Sequence, residues 1–326
     1  MSARDEEMLV AARMYYLQDE TMEGIARRLG VSRSTVSRLL KSARDLGLVR
    51  ITVRSEDGAG SDHLADRIRT LYGVRTHVVP VRAGAPDLQR LDQVAMVAAR
   101  LLADWFDDDM VLGVAWGTTV AAVARRLGRK PTRGSDVVQL NGAANTHTSG
   151  LEYASTIVSA FGDAFEAAVH HFPVPAFFDF ADTRAAMWRE RSIRRVLEVQ
   201  ARTDVAIFGV GAFGGQVPSH VYAAGYLDDA DLRSLAQSRV VGDVCTVFLR
   251  EDGSYSDIEI NRRATGPSPR ELARIGRRVC VVAGDAKVVP LVAAMRAGTM
   301  TDLVIDESTA RRLLARTSGP GAIITA

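Results

Sequence analysis

Hydrophobic positions near the start of the chain recur at helical spacing, whereas those beyond residue 61 gather into short apolar runs separated by amphipathic stretches. In residues 6–17, Met8, Leu9, Ala12, Tyr16 and Leu17 fall on one helical face. Thr21 then precedes a short amphipathic stretch over 22–29 that Gly30 stops, and Ser32 is placed to cap a further helix to about residue 44. Residues 48–54 alternate like a strand, the wing of a winged helix-turn-helix, and the polar run 55–60 reads as a linker. The domains expected are therefore 1–54, all-α, and 61–326.

In the second part the pattern predicts strands over 76–81, 110–116, 136–141, 205–210, 241–249, 278–283 and 302–305. Helices fit 88–105, 119–127, 151–161, 193–201 and 288–297. Alternation of this kind specifies an α/β fold with a doubly wound, mostly parallel sheet.

A length of 326 residues with 47% hydrophobic content agrees with two domains. The two cysteines, Cys245 and Cys280, lie in apolar runs and suit a reducing compartment. With no apolar leader and no run long enough to span a bilayer, a cytoplasmic protein without a membrane partner is expected.

Charge changes the picture. The net value of +2 conceals ten Arg/Lys against seven Asp/Glu in residues 1–54, and eight bases against the single acid Asp45 in residues 24–54. A local excess of that size suits a phosphate backbone. On the helix after Ser32, Val36, Leu39, Leu40 and Ala43 point inward. Arg33, Ser34, Thr35, Ser37, Arg38 and Lys41 are left outward, a donor-rich set for base edges and phosphates. Small Ala26 and turn Gly30 let two helices cross closely. Double-stranded operator DNA is the partner implied, read by a two-fold dimer or a tetramer.

Two glycine turns carry the remaining chemistry. Gly117-Thr118-Thr119 follows an apolar run and opens a helix, where amides, hydroxyls and the helix dipole suit an anion. Gly284-Asp285-Ala286-Lys287 repeats the arrangement with a lysine added. In an open α/β sheet both turns would sit beyond the carboxyl ends of strands.

Trp116-Gly117-Thr118-Thr119, Gly209-Val210-Gly211, Gly242-Asp243-Val244, Asn261-Arg262, residues 283–287 and residues 302–310 together resemble the SorC family of sugar-responsive transcriptional regulators, and the resemblance runs nearly end to end. It implies an effector domain similar to sugar-phosphate isomerases and deaminases, a phosphorylated sugar as effector, and assembly into dimers and tetramers. It also implies that Gly117, Thr118, Thr119 and Lys287 hold the phosphate while Asn141, Gly142 and Asp243 face the sugar. The stretch Asn141-Gly142-Ala143-Ala144 departs from relatives that carry an arginine and paired glycines there, which leaves the sugar and any second phosphate open.

Other features are read as structural. Trp116 is assigned to the wall of the pocket, and His170 and His171 lack a third ligand, so neither a metal nor a cofactor is expected. Gly209-Val-Gly211-Ala-Phe-Gly214 fits a dinucleotide fingerprint, but the following Gly215 to Pro218 stretch cannot open a helix promptly. The competing function is a sugar-phosphate isomerase or deaminase using Lys287 and Asp243. No carboxylate–histidine pair suited to proton transfer stands out, so the chain is read as a sensor and not an enzyme.

Overall fold

The structure, a computed structural model, describes residues 3–46, 48–49, 58–82, 84–145, 150–215 and 219–317. The chain separates into two compact units, residues 1–56 and 57–326.

The first unit contains α1 (Ala3–Leu17), α2 (Met22–Leu29) and α3 (Arg33–Asp45). Thr21 caps α2 by accepting from the Gly24 amide at 3.1 Å, and Gly30 ends it in the left-handed region at φ 68°. Two residues later the Ser32 hydroxyl accepts from the Thr35 amide at 3.1 Å and starts α3. These caps compress the connection into a tight turn, and Met8, Ala12, Ile25, Ala26, Val36, Leu39, Leu40 and Ala43 close the core. Leu17, expected on the packed face of the first helix, is 78% exposed at the end of α1, although Met14, Tyr15 and Tyr16 in the same turn pack against the core. Of the wing strand expected over 48–54, residues 50–54 lie outside the described residues.

The second unit runs α4 (Gly58–Tyr72), β1 (Arg75–Val79), α5 (Asp87–Trp105), β2 (Val111–Val114), α6 (Thr118–Ala124), β3 (Asp136–Gln139), α7 (Leu151–Phe165) and β4 (Ala168–His170). It continues α8 (Ala181–Met187), α9 (Arg191–Gln200), β5 (Val205–Gly209), α10 (His220–Ala223), α11 (Asp229–Gln237), β6 (Val240–Val244) and β7 (Val247–Arg250). It closes with α12 (Pro269–Leu272), β8 (Arg277–Val282), α13 (Val288–Arg296), β9 (Asp302–Asp306) and α14 (Glu307–Thr317). Part of the expected linker is thus helical, since residues 58–60 open α4.

Seven strands form one parallel sheet in the order β1-β9-β8-β5-β2-β3-β4. Its central strands are apolar on both sides, as a parallel sheet covered on both faces requires. Side chains alternate across them: Ile207, Val281 and Val304 join the core that holds Phe106 and Phe161, whereas Phe208, Cys280 and Leu303 join the opposite core with Ile68 and Leu291. The single strand expected over 241–249 is instead an antiparallel hairpin, β6–β7, outside the main sheet. Cys245 at φ 50° and Thr246 at φ 67° reverse the chain there, and neither residue type announces such a turn.

One buried charge network ties the layers together. The fully buried Asp306 accepts from the Thr309 amide at 3.0 Å, from the Thr309 hydroxyl at 2.5 Å and from the Gly284 amide at 3.2 Å. It also faces Arg90 at 3.5 Å, and Arg90 pairs with Asp87 and, at 3.2 Å, with Asp285. Asp306→Ala should cost about 1–3 kcal/mol, since it leaves the buried Thr309 amide and hydroxyl without their acceptor while Arg90 keeps Asp87 and Asp285. Urea denaturation of the two proteins would show it, and a loss below about 1 kcal/mol would mean that the network is not structural.

Candidate functional site

The sheet changes its direction of winding between β2 and β5. After β2 the chain moves toward β3 and β4, and after β5 toward β8 and β9. Loops leaving the carboxyl ends of two such strands diverge and open a crevice, the usual ligand site of open α/β sheets. Here the crevice is open to solvent. Gly117, Thr118 and Thr119 line it from the end of β2, Gly209 and Gly211 from β5, and Gly284 and Lys287 from β8. Asn141 and Asp243 line it as well.

Each group has an identifiable support. Gly117 sits at φ 149° and ψ 168°, a conformation only glycine adopts readily, and so turns the chain from β2 into α6. Helix α6 has seven residues, too short for much of the dipole expected at its start, so hydroxyls, first-turn amides and Lys287 are what remain for an anion. Lys287 donates to the Ser219 hydroxyl at 2.6 Å, and burial lowers its pKa to about 8 although Asp243 opposes the shift. The Ser219 oxygen also accepts from the Ala212 amide at 2.8 Å, which leaves its own proton for another acceptor.

Asp243 is buried, and burial raises its pKa against the effect of the Tyr222 hydrogen bond and of Lys287. Its carboxylate accepts from the Tyr222 hydroxyl at 2.9 Å and from the Thr246 amide at 3.1 Å. Main-chain bonds between Gly211 and Asp243 lock the hairpin onto the end of β5, and a side chain at Gly211 would fall 1.7 Å from Asp243 Oδ1.

The second glycine turn differs from expectation. The Gly284 amide is taken by Asp306 and, at 3.0 Å, by the Thr309 hydroxyl, so this turn offers the cleft Lys287 rather than a cradle of amides. Gly142 does not line the cleft. It packs against the chain at Val174 and Pro175, where a Cβ would meet a carbonyl oxygen at 2.2 Å, and its amide donates to Thr265 at 3.0 Å. Trp116 forms a wall, donating to the Gly142 carbonyl at 2.8 Å and stacking on Tyr226 with ring centroids 5.0 Å apart. His170 binds Asp136 at 2.7 Å, away from the cleft. The stretch set aside as a dinucleotide fingerprint, residues 209–214, lines the cleft through Gly209, Val210, Gly211 and Gly214, and the next helix is the four-residue α10, starting at His220.

In the first unit, Arg33, Ser34, Ser37, Arg38 and Lys41 of α3 are exposed. Thr35 is half-buried, with its hydroxyl 2.9 Å from that of Ser32 and accepting from Arg38 at 3.4 Å. Arg33 pairs with Glu23 at 2.8 Å, an exposed contact that phosphates can displace at little cost.

The family model Sugar-bind, a sugar-binding domain, matches residues 57–315, and a MarR family model matches residues 19–59. The chain is similar to the deoxyribonucleoside regulator of Bacillus subtilis (strain 168), 31% identical over 308 residues that cover 93% of this chain and 96% of that one. The chain belongs to the SorC family of sugar-binding transcriptional regulators.

The regulator is also similar to the sorbitol operon regulator of Klebsiella pneumoniae, at 24% identity over 304 residues, 93% of this chain and 96% of that one. The crystal structure of full-length SorC from Klebsiella pneumoniae shares its fold, with a TM-score of 0.70 at 22% identity over 96% of this chain and 100% of that chain. A domain of "a possible sugar-binding transcriptional regulator" from Arthrobacter aurescens TC1 gives a TM-score of 0.73 at 52% identity over 78% of this chain and 97% of that chain. Asp87, Ser219 and His220 line the cleft although no sequence pattern marked them, since each arrives from a distant element with no motif around it.

Gly211→Ala should destabilise the regulator by about 1–3 kcal/mol, because the new methyl must displace Asp243 from Tyr222. Gly214→Ala, whose Cβ would have no atom within 4 Å, should be close to neutral. Equal denaturation midpoints for the two variants would contradict the contact.

Proposed function

We propose that the regulator controls a carbohydrate-metabolism operon in the cytoplasm by reading operator DNA through α3 and binding a phosphorylated sugar in the cleft. The observation that carries this reading is the convergence of Lys287, Ser219, Thr118 and Thr119 on one crevice at the winding reversal, where a cation and hydroxyls meet beyond the strand ends. The family's naming as regulators supports a sensor and not an enzyme. So does the engagement of Asp243 by Tyr222 and Thr246, which favours holding a ligand over moving its protons. No helix among the described residues is long and apolar enough to cross a membrane.

On the DNA side Arg33, Ser34, Thr35, Ser37 and Arg38 face base edges, and Lys41 a phosphate. Exposed donors over a closed apolar core support this assignment. One helix-turn-helix covers few base pairs, so the active form is a dimer or a tetramer with two-fold related half-sites. Gel-shift series should separate the roles. Arg38→Ala should relax preference at one position per half-site, at about 1–3 kcal/mol, whereas Lys41→Ala should weaken all duplexes alike and reduce the salt slope by about one. Undiminished specificity in Arg38→Ala would contradict the assignment.

The effector side has a pH signature. With Lys287 titrating near pH 8 in the free protein, the charge that attracts phosphate is present below that pH and lost above it. A bound phosphate raises the lysine pKa, so sugar-phosphate affinity should fall as pH rises above about 8, with proton uptake on binding there. Calorimetry in buffers of different ionisation enthalpy measures both. In Lys287→Met the uptake should vanish and affinity drop about ten- to a hundred-fold. Turnover of any sugar phosphate by the wild type would replace the sensor reading with the enzyme one.

A further inference from the structure

We infer, on the reading that the cleft holds a phosphorylated sugar, that its effector carries one phosphate only, and that Asp87 rejects ligands bearing a second. The described lining of the cleft carries one ammonium, Lys287, and two carboxylates, Asp87 and Asp243. Its donors include the Lys287 ammonium, the Ser219 hydroxyl with its proton free of both its partners, and the Thr119 hydroxyl. The described lining also offers acceptors, of which Asp243 is near enough to Lys287 to act on its pKa. Asn141 Oδ1 is buried without a hydrogen-bond partner, and the carboxylates of Asp87 and Asp243 also line the cleft.

Lys287 is the only lysine or arginine among the described residues that line the cleft. The undescribed segments nearest to it in sequence, 146–149 (Thr-His-Thr-Ser) and 216–218 (Gln-Val-Pro), contain neither. Arg90 lies close by and is already committed, with its side chain 11% exposed and held among Asp87, Asp285 and Asp306. That cluster holds three carboxylates to Arg90, and Arg312 reaches only the outer oxygen of Asp285 at 3.0 Å. The Asp87 side of the cleft is therefore negative. Absence of a side chain at Gly284 keeps it open, since a Cβ there would lie 3.3 Å from Asp87 Oδ2.

A phosphate can only accept hydrogen bonds, apart from any proton it retains, and brings a charge of about −1.5 to −2. One such group is matched by Lys287 and the hydroxyls. A second, placed on the Asp87 side, would meet a carboxylate whose Arg90 partner is already shared with Asp285 and Asp306, at a cost of about tenfold in affinity in a partly buried site. Sugar hydroxyls donate as well as accept, and so satisfy Asn141 and the carboxylates. The ligand class is a monophosphorylated polyhydroxy compound.

Calorimetry at fixed ionic strength tests this with pentose and hexose monophosphates, each beside its bisphosphate and its unphosphorylated sugar, for example ribose 5-phosphate with ribose 1,5-bisphosphate and fructose 6-phosphate with fructose 1,6-bisphosphate. The tightest monophosphate should exceed its bisphosphate by about tenfold or more. Asp87→Asn should shrink that ratio several-fold. Asp285→Asn removes a charge from the same Arg90 cluster without lining the cleft, and should leave the ratio nearly unchanged. A bisphosphate bound as tightly as its monophosphate, or an unaltered ratio in a folded Asp87→Asn, overturns the inference while leaving the phosphate site intact. An unphosphorylated sugar bound as tightly as its phosphate, or no binding by any monophosphate, overturns both. Should Asp87→Asn fail to fold, the wild-type ratio decides alone.

Discussion

Parallel strands cannot be joined by tight turns, so each crossover must travel over a face of the sheet and return to the same edge. Every property of the larger unit depends on that constraint. Because all carboxyl ends point the same way, the loops after β2, β5 and β8 meet on one side, and the change of winding between β2 and β5 keeps them from closing over each other. The cleft is a consequence of connectivity, not an excavation in a finished core. What the residues add is the chemistry of its walls: glycines where backbone must turn or approach closely, and charge where a ligand is to be held.

Burial then decides how those charges behave. Lys287 is held by a serine oxygen and only weakly helped by Asp243, so its proton is loosened. Asp243 is buried deeper still, and burial raises its pKa although a phenol and an amide donate to its carboxyl oxygens. Asp306 follows the same rule behind the wall, where amides, a hydroxyl and a guanidinium surround it. Each buried charge has donors or a counter-charge from a different element, so folding and the arrangement of the cleft are one event.

Much of this was legible in the sequence because it is local. Thr21, Gly30 and Ser32 punctuate two helices within a dozen residues, and the apolar runs of the central strands declare a sheet covered on both faces. Gly117 and Lys287 could be anticipated for the same reason: a glycine after a strand has a limited set of uses. What was not legible depends on residues that meet only after folding. Gly142 looked like a ligand contact and is instead a close crossing with Pro175. The Gly284 amide looked free and is claimed by Asp306 and Thr309, more than twenty residues on. Asp87 opens a helix with no motif around it, and β4, with three residues, carries too short a pattern to register.

The turn between β6 and β7 has a mechanical consequence. Two successive non-glycine residues, Cys245 and Thr246, hold left-handed backbone, each at about 1–2 kcal/mol of conformational cost. The tip nonetheless stays put, because the Thr246 amide grips Asp243 and the Cys245 carbonyl lies where a side chain at Gly266 would have to go. A wall segment loaded in this way behaves as a tensioned spring with one rest position. Asp243 is therefore presented at a fixed depth, and a substitution that slackens the tip would alter the aim of the carboxylate without touching it.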